Sequence, residues 1–493
     1  MKPEYQVGIV GAGFAGLVAA LGLKKAGKES FVIFERASEI GGTWRDNIYP
    51  GCACDIAVHL YSFAKVPNAK WSNLYAGQPE ILDYLKNVSV SCELQSHIRL
   101  NADIVEARFF EEESCWVVVD RMGRETTVSV LLLGLGPLNR PFIPTFKDLD
   151  KFKGAHFHTS QWDKNFAPTG KRVAVIGTGA SAIQVVPHLA PSVKQLTVMQ
   201  RTPPWIMDRF DKKISETTKK VYQQFPAAQR FKREFFYWIN EFFGLGFIGN
   251  KTLNRVMAWT AIRKLRKEVK DAATRKKLTP RYTIGCKRIL KSDDYYPTFN
   301  RDNVSLVAEG IDRFTERGIL TMDGTEHLLD AVIFATGFVA ADLNLYIKVR
   351  GLQGRDLVSE WKMTGAQAYL GTTISGYPHL GILLGPNTGL GHNSILHMIE
   401  SQVNYILQYI DYIAKSGPHE YVDLKPSVQE AYNERIQAQL KNTVWASGCR
   451  SWYMNSNGKN TTLYPGLTVT FRKETKKFDP LCYQKVRQPA LVS

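Results

Sequence analysis

The sequence predicts an α/β fold made of two Rossmann-like dinucleotide-binding domains, the second carrying a helical insert. Three observations lead there. A buried strand, a glycine turn and a helix occur twice, first as residues 6–10 followed by Gly11-x-Gly13-x-x-Gly16. The second copy is residues 172–176 followed by Gly177-Thr178-Gly179-Ala180-Ser181-Ala182. In such a turn the first glycine bends the chain and the second lets a pyrophosphate approach the backbone. The third position packs helix on strand, and alanine is tolerated there. Finally, between about 205 and 282 the pattern turns helical, basic and aromatic. The 493 residues allow about three domains of roughly 150 residues each.

Composition narrows the classes. No apolar run reaches the ~20 residues that span a bilayer; the nearest, 235–249, is interrupted by Asn240 and Glu241. The N-terminus enters a strand without the apolar core of a signal peptide. Seven cysteines, an odd number without disulfide-like spacing, fit a reducing compartment. A soluble cytoplasmic protein is expected. Cys52-x-Cys54 has neither metal nor dithiol spacing, and no metal site is expected. The net charge of +17 gathers between Asp211 and Lys291, in runs such as 263–267 and 275–277. No nucleic-acid module accompanies these runs, so no nucleic-acid partner is expected. A solvated helix face is the expected role, although such charge also steers polyanionic cofactors and anionic membranes.

In chain order, the first helix runs through Leu23 and offers its N-terminal N–H groups to phosphate. The second strand, 31–34, ends at Glu35, an acid placed to bond a ribose hydroxyl, as in the adenosine half of FAD. Gly41-Gly42-Thr43-Trp44, then Tyr49-Pro50-Gly51 and Asp55, follow; alone, Asp55 reads as a surface acid. Gly136-Pro137 and Pro141 to Pro144 close a first segment, 1–140. A linker, 141–165, holds Phe152-x-Gly154-x-x-x-His158-x-x-x-Trp162-Asp163, by its residues alone a packed connector. The second domain, 166–340, repeats the first with one change. Arg201 stands twenty-four residues after Gly177, where Glu35 stands twenty-four after Gly11. An acid there holds a ribose diol and repels a 2′-phosphate, and an arginine does the reverse. The second site therefore reads as NADPH.

Within the insert, the aromatic stripe 231–243 is expected to face the core. The rival reading, an apolar wall or membrane-facing entrance, leaves peripheral membrane contact open. Lys287-Arg288 alone reads as solvent-exposed. The last segment, 341–493, holds a glycine-rich stretch, 385–394, that resembles a chain's return to its flavin domain, where Asn393 could offer backbone N–H groups to the flavin. A helix follows from about 395 to 414.

The stretch 152–163, lying between a flavin-binding and a nicotinamide-binding motif, resembles the fingerprint of the Baeyer–Villiger monooxygenases, class B flavoproteins. Residues 41–55 match a second signature of that family: Gly-Gly-x-Trp, four residues, aromatic-Pro-Gly, three residues, Asp. The resemblance implies that Gly42, Thr43, Trp44, Asp55 and Tyr61 meet FAD. It implies that Thr178, Ser181, Gln184, Arg201, Thr202 and Lys287 meet NADPH, with Lys287 on the 2′-phosphate, and that Arg288 reaches the flavin. Trp452, in Ser451-Trp452-Tyr453, belongs to a loop similar to the one that closes on NADP. It departs from the commonest version at 457–460.

The implied activity uses NADPH to reduce FAD, which captures O2 as a C4a-peroxide that attacks a ketone to give an ester or lactone. Arg288 is the candidate cation that keeps the peroxide anionic, and Asp55 its charge-assisted partner. The expected partners are a small-molecule ketone and O2, with oligomeric state left open. An N- or S-oxygenating flavin monooxygenase is the alternative; it shares the Phe-x-Gly-x-x-x-His core but differs where this chain has Trp162-Asp163. A flavin disulfide reductase lacks its Cys pair here. A basic nucleic-acid binder with a retained nucleotide fold would bind DNA salt-sensitively and be colourless.

Overall fold

The two largest sheets, of eight and five strands, form where the sequence concentrates its buried apolar runs. In this computed structural model residues 3–339, 345–417, 419–449, 451–455 and 457–487 are described. The expected boundary at 340–341 lies outside them. In the first sheet Tyr5–Val10 lies between Phe31–Phe34 and Glu125–Leu133, both parallel to it, with Val10 opposite Phe34 and Leu133. Cys115–Asp120 and Ile104–Phe110 extend the sheet antiparallel. The last third of the chain rejoins it, with Leu380–Ile382 paired to Glu125–Leu133 and Lys348–Arg350 to Ile104–Phe110.

The second sheet is parallel throughout, in the order Val304–Val307, Gln195–Met199, Arg172–Ile176, Ala331–Phe334, Ala155–His158. Its inner strands are covered on both faces, so they read as unbroken apolar runs rather than alternating ones. Ala155–His158, inside the fingerprint stretch, is one of its two edge strands, with His158 opposite Phe334. The two sheets meet with their carboxyl ends toward a common cleft, the place where open α/β sheets bind ligands.

The insert comprises the helices Glu216–Gln224, Pro226–Gly244, Lys251–Glu268 and Ala272–Leu278. Pro226–Gly244 corrects the expectation that its aromatic stripe faces the core. Gln229, Tyr237 and Glu241 are buried, whereas Phe231, Phe235, Trp238 and Phe242 are exposed. The physical reason is what lies underneath. Backbone carbonyls of Asn68, His59 and Ser62 face the helix, and Gln229 and Arg233 donate to them at 2.7 to 3.0 Å. Polar side chains are therefore drawn inward and the rings are left outside.

The cysteine reading is corrected as well. Cys286 and Cys449, 163 residues apart, form a disulfide, while Cys52, Cys54, Cys92, Cys115 and Cys482 are free. So wide a separation leaves no spacing signal. Among the described residues no helix is long and apolar enough to cross a membrane, and no cluster of His, Cys, Asp or Glu is placed to hold a metal.

Candidate active site

A continuous cleft of about 1070 Å³ separates the sheets and is lined by both glycine turns. At the first turn Gly11 has φ +102°, and a Cβ there would meet the Gly134 carbonyl oxygen at 2.7 Å. Gly16 packs so closely on the Gly11 carbonyl that no side chain fits. Gly13 lies against the Cα of Gly42, which keeps two bare backbones side by side at the mouth of the helix. Glu35 is only 3% exposed. Its carboxylate accepts from the N–H groups of Ala12 at 2.9 Å and Ala37 at 3.0 Å, and from Arg45 Nη1 at 2.8 Å. Oε2 carries one of these three bonds, which leaves it acceptor capacity toward the cleft. Thr43, Trp44 and Tyr61 line the same wall, and Trp44 Nε1 donates to the Tyr61 hydroxyl at 3.0 Å.

The second turn repeats the backbone. Gly177 has φ +113°, and a Cβ there would collide with the Ala335 carbonyl. Thr178 Oγ1 donates to the Thr202 carbonyl at 2.9 Å, tying the turn to the segment that carries Arg201. Gly179 and Ser181 line the cleft. Gln184 joins the halves: it accepts from the Tyr49 hydroxyl and donates to the Ala53 carbonyl, both at 2.9 Å. Arg201 and Lys287 come together at this end. Burial and then the charge of Arg201 hold the Lys287 ammonium below the ordinary lysine value. Among the described residues neither has a carboxylate partner, and Lys287 Nζ lies 5.1 Å from the Tyr282 ring centre. Two cations facing one space without an anion suit a phosphate.

Between the turns Arg288 grips Asp55 with both ends of its fork, Nη2 donating to Oδ1 at 2.8 Å and to Oδ2 at 2.6 Å, and Nε donating to Oδ2 at 3.1 Å. Asp55's charge fixes the guanidinium still more firmly in its protonated form, against burial. Burial pushes the Asp55 carboxyl up, but the charge and hydrogen bonds of Arg288, with Lys291, bring it below its ordinary value. Trp452, 41% exposed, lies against Tyr453 at 4.4 Å between ring centres, the rings tilted by 51°, and borders the cleft. The Cys286–Cys449 disulfide links this loop to the residue preceding Lys287.

The fingerprint residues Phe152, Gly154, His158 and Trp162 do not line the cleft. Phe152 packs beneath the second sheet, and His158 is buried against the Phe338 ring with Nδ1 bonded to the Ser160 hydroxyl at 2.8 Å. Beside it the linker crosses the Ala335-Thr336-Gly337 turn, with Phe142 N–H donating to the Gly337 carbonyl at 2.8 Å and Val339 N–H to that of Arg140 at 3.0 Å. The stretch belongs to the packing of the second sheet, beside that crossing. Asn393 lines the cleft, but its side-chain amide donates to Glu241 at 2.8 Å. Sequence reasoning missed Lys291, which lines the cleft beside Asp55 and Arg288. Its signal, a cation three residues after Arg288, was lost among many basic neighbours. Arg45, which holds Glu35, was missed for the same reason.

Two dinucleotide turns on one cleft, an acid at the first and paired cations at the second, define a flavoprotein that draws its electrons from NADPH. A family profile described as flavin-binding monooxygenase-like matches residues 4–345. A Baeyer–Villiger monooxygenase of Pseudomonas aeruginosa is 43% identical over 486 residues, covering 98% of this chain and 92% of that protein. One of Streptomyces coelicolor is 41% identical over 483 residues, covering 98% and 93%. The crystal structure of OTEMO in complex with FAD and NADP superposes with a TM-score of 0.88 at 27% identity, covering 99% of this chain and all of that one. The chain belongs to the flavin-binding monooxygenase-like family, in its Baeyer–Villiger branch. Its cofactors are FAD and NADPH, and the bare backbones at Gly13 and Gly42 and the unpaired cations Arg201 and Lys287 fit them.

Proposed function

We propose that this protein inserts one oxygen atom of O2 next to the carbonyl of a small-molecule ketone, giving an ester or lactone. The observation that carries this reading is the Arg288–Asp55 pair, held at three hydrogen bonds in the cleft that both dinucleotide turns share. FAD, when bound and reduced by NADPH, supplies the electrons that activate dioxygen. Arg288 supplies a cation that does not titrate in any working range. An opposite charge within ~4–6 Å favours negative charge on a reacting oxygen. Asp55 fixes the guanidinium before the reaction begins, so little reorganisation is left for the reactive step. Arg201 and Lys287 hold the 2′-phosphate and so select NADPH. Gly11, Gly13, Gly16 and Glu35 seat the adenosine pyrophosphate of FAD, and Trp44 and Tyr61 wall the flavin side. Trp452 and its loop exclude water when closed. A cytoplasmic place of action belongs to the same reading.

The test is direct. Purified enzyme with NADPH and air is offered ketones, sulfides and amines, and products are identified by mass. Esters or lactones one oxygen heavier than the ketone are expected. Sulfoxides or N-oxides with no ester from any ketone would overturn the proposal in favour of an N- or S-oxygenating enzyme.

A further inference from the structure

The helix Pro226–Gly244 is built inside out. Its inner stripe, Gln229, Arg233, Tyr237 and Glu241, is polar and hydrogen-bonded to the body of the protein. Its outer stripe, Phe231, Phe235, Trp238 and Phe242, recurs at steps of four, three and four residues, which is one face of a helix. Phe231 is 74% exposed, Trp238 56% and Phe242 58%. With Phe243 and Ile239 these rings border a shallow apolar groove of about 550 Å³. A contiguous exposed patch of this kind marks a surface that meets something other than water.

Charge says what that partner is. Residues 205–282 hold nineteen Lys and Arg against seven Asp and Glu, so +12 of the chain's +17 belongs to the insert. Lys232 Nζ sits 5.2 Å from the Phe235 ring centre and 5.3 Å from that of Phe236, and Arg230 precedes Phe231. Arg263 lies 5.5 Å over the exposed Trp259 on the following helix. One carboxylate, Glu234, borders the groove. A second copy of this chain seated on the same face would set this positive cluster against itself, since a two-fold contact matches a patch with its own image. Aromatic rings flanked by lysine and arginine, on a helix too polar to cross a bilayer, are the features of an interfacial helix that lies in the plane of an anionic membrane. We propose that this outer face seats the protein on an anionic lipid surface. The helix's inner face also reaches the cleft: Glu241 accepts from Asn393, a cleft-lining residue. The seated protein would thus hold its reaction cleft one helix away from the lipid phase.

The experiment uses FAD-loaded full-length protein and two vesicle preparations, phosphatidylcholine alone and phosphatidylcholine with phosphatidylglycerol. Sedimentation at low salt should carry the protein down with the anionic vesicles and leave it in solution with the neutral ones. Raising salt to about 0.5 M should release much of it, because exposed charges are screened beyond a few ångströms there. Phe235→Ser with Trp238→Ser should weaken vesicle binding on the order of a hundredfold, the loss of two buried aromatic side chains. Its flavin content and its turnover of a water-soluble ketone should not change. Arg230→Glu with Lys232→Glu should remove the preference for anionic vesicles. Wild-type protein that stays in solution with both preparations would overturn the proposal. So would undiminished binding by the aromatic double variant. A vesicle-free dimer in analytical ultracentrifugation that this variant dissociates would overturn it in favour of self-association.

Discussion

The two glycine turns share a backbone and differ in everything around it. Gly11 and Gly177 take the same left-handed bend under the same kind of carbonyl. At the second glycine they diverge: Gly13 is packed against Gly42, whereas a Cβ on Gly179 would meet nothing within 4 Å. The third position is Gly16, jammed on Gly11, in one and Ala182 in the other. The acid of the first turn is buried and already bonded to two N–H groups and Arg45. The cations of the second lack a carboxylate among the described residues, and Lys287 feels Arg201's repulsion. A closed, satisfied socket is suited to a cofactor that stays. An open, electrostatically unsatisfied one attracts an anion that comes and goes.

The largest expected effect breaks the closed socket. Gly13→Leu should give colourless or insoluble protein, because its side chain would occupy the pyrophosphate's place, while Gly179→Leu should keep its yellow colour and lose NADPH affinity. Absorbance of the purified variants decides this, and equal flavin in both would erase the distinction. Next comes the residue between the sockets. Arg288→Ala should bind FAD yet lose ester formation by on the order of 100–1,000-fold, with hydrogen peroxide released instead. Asp55→Ala should show the same uncoupling more mildly. Ester and peroxide are quantified together; near wild-type ester from Arg288→Ala would remove the arginine from the mechanism.

A smaller effect is expected at the open socket. Arg201→Ala or Lys287→Ala should weaken NADPH binding tenfold to a hundredfold, the loss of one charge-assisted bond worth roughly 1.5–3 kcal/mol, with NADH little affected. Titration with both coenzymes measures it. The smallest effect concerns pH. Lys287 is charged below its pKa, and burial with Arg201's charge lowers that pKa. NADPH affinity should therefore fall as pH rises through the lowered value, sooner than an ordinary lysine would lose its proton. Arg201→Ala removes the repulsion, so the weaker binding that remains should persist to higher pH.

Much of this was legible in the sequence because it is local. A glycine turn, an acid or arginine at a fixed distance, and apolar runs long enough for covered strands depend on neighbours within about thirty residues. The Arg288–Asp55 pair joins residues 233 apart and came only from family resemblance. The helix Pro226–Gly244 shows a different limit. Periodicity gives a helix two faces but does not say which one turns inward; the carbonyls of Asn68, His59 and Ser62 decided that from elsewhere in the chain. By contrast the helix Ile395–Ile413, also 19 residues long, buries Leu396, Ile399, Val403, Ile406 and Ile410 as its pattern suggests. The fingerprint 152–163 located the family but not the chemistry, since it packs on the second sheet rather than touching the cleft.

The Cys286–Cys449 bond sets a length scale for the loop that carries Trp452. Its Cα atoms are 6.3 Å apart, so Cys449 is pinned next to the Lys287-Arg288 step. Trp452 is three residues further on, and three extended residues reach at most about 11 Å. While the bond is intact, the tryptophan can sweep only a small arc around the arginine. Cleaving the bond lengthens that leash to the next anchored residue upstream. The reach of Trp452 over the cleft is thereby set by whether Cys286 and Cys449 are joined.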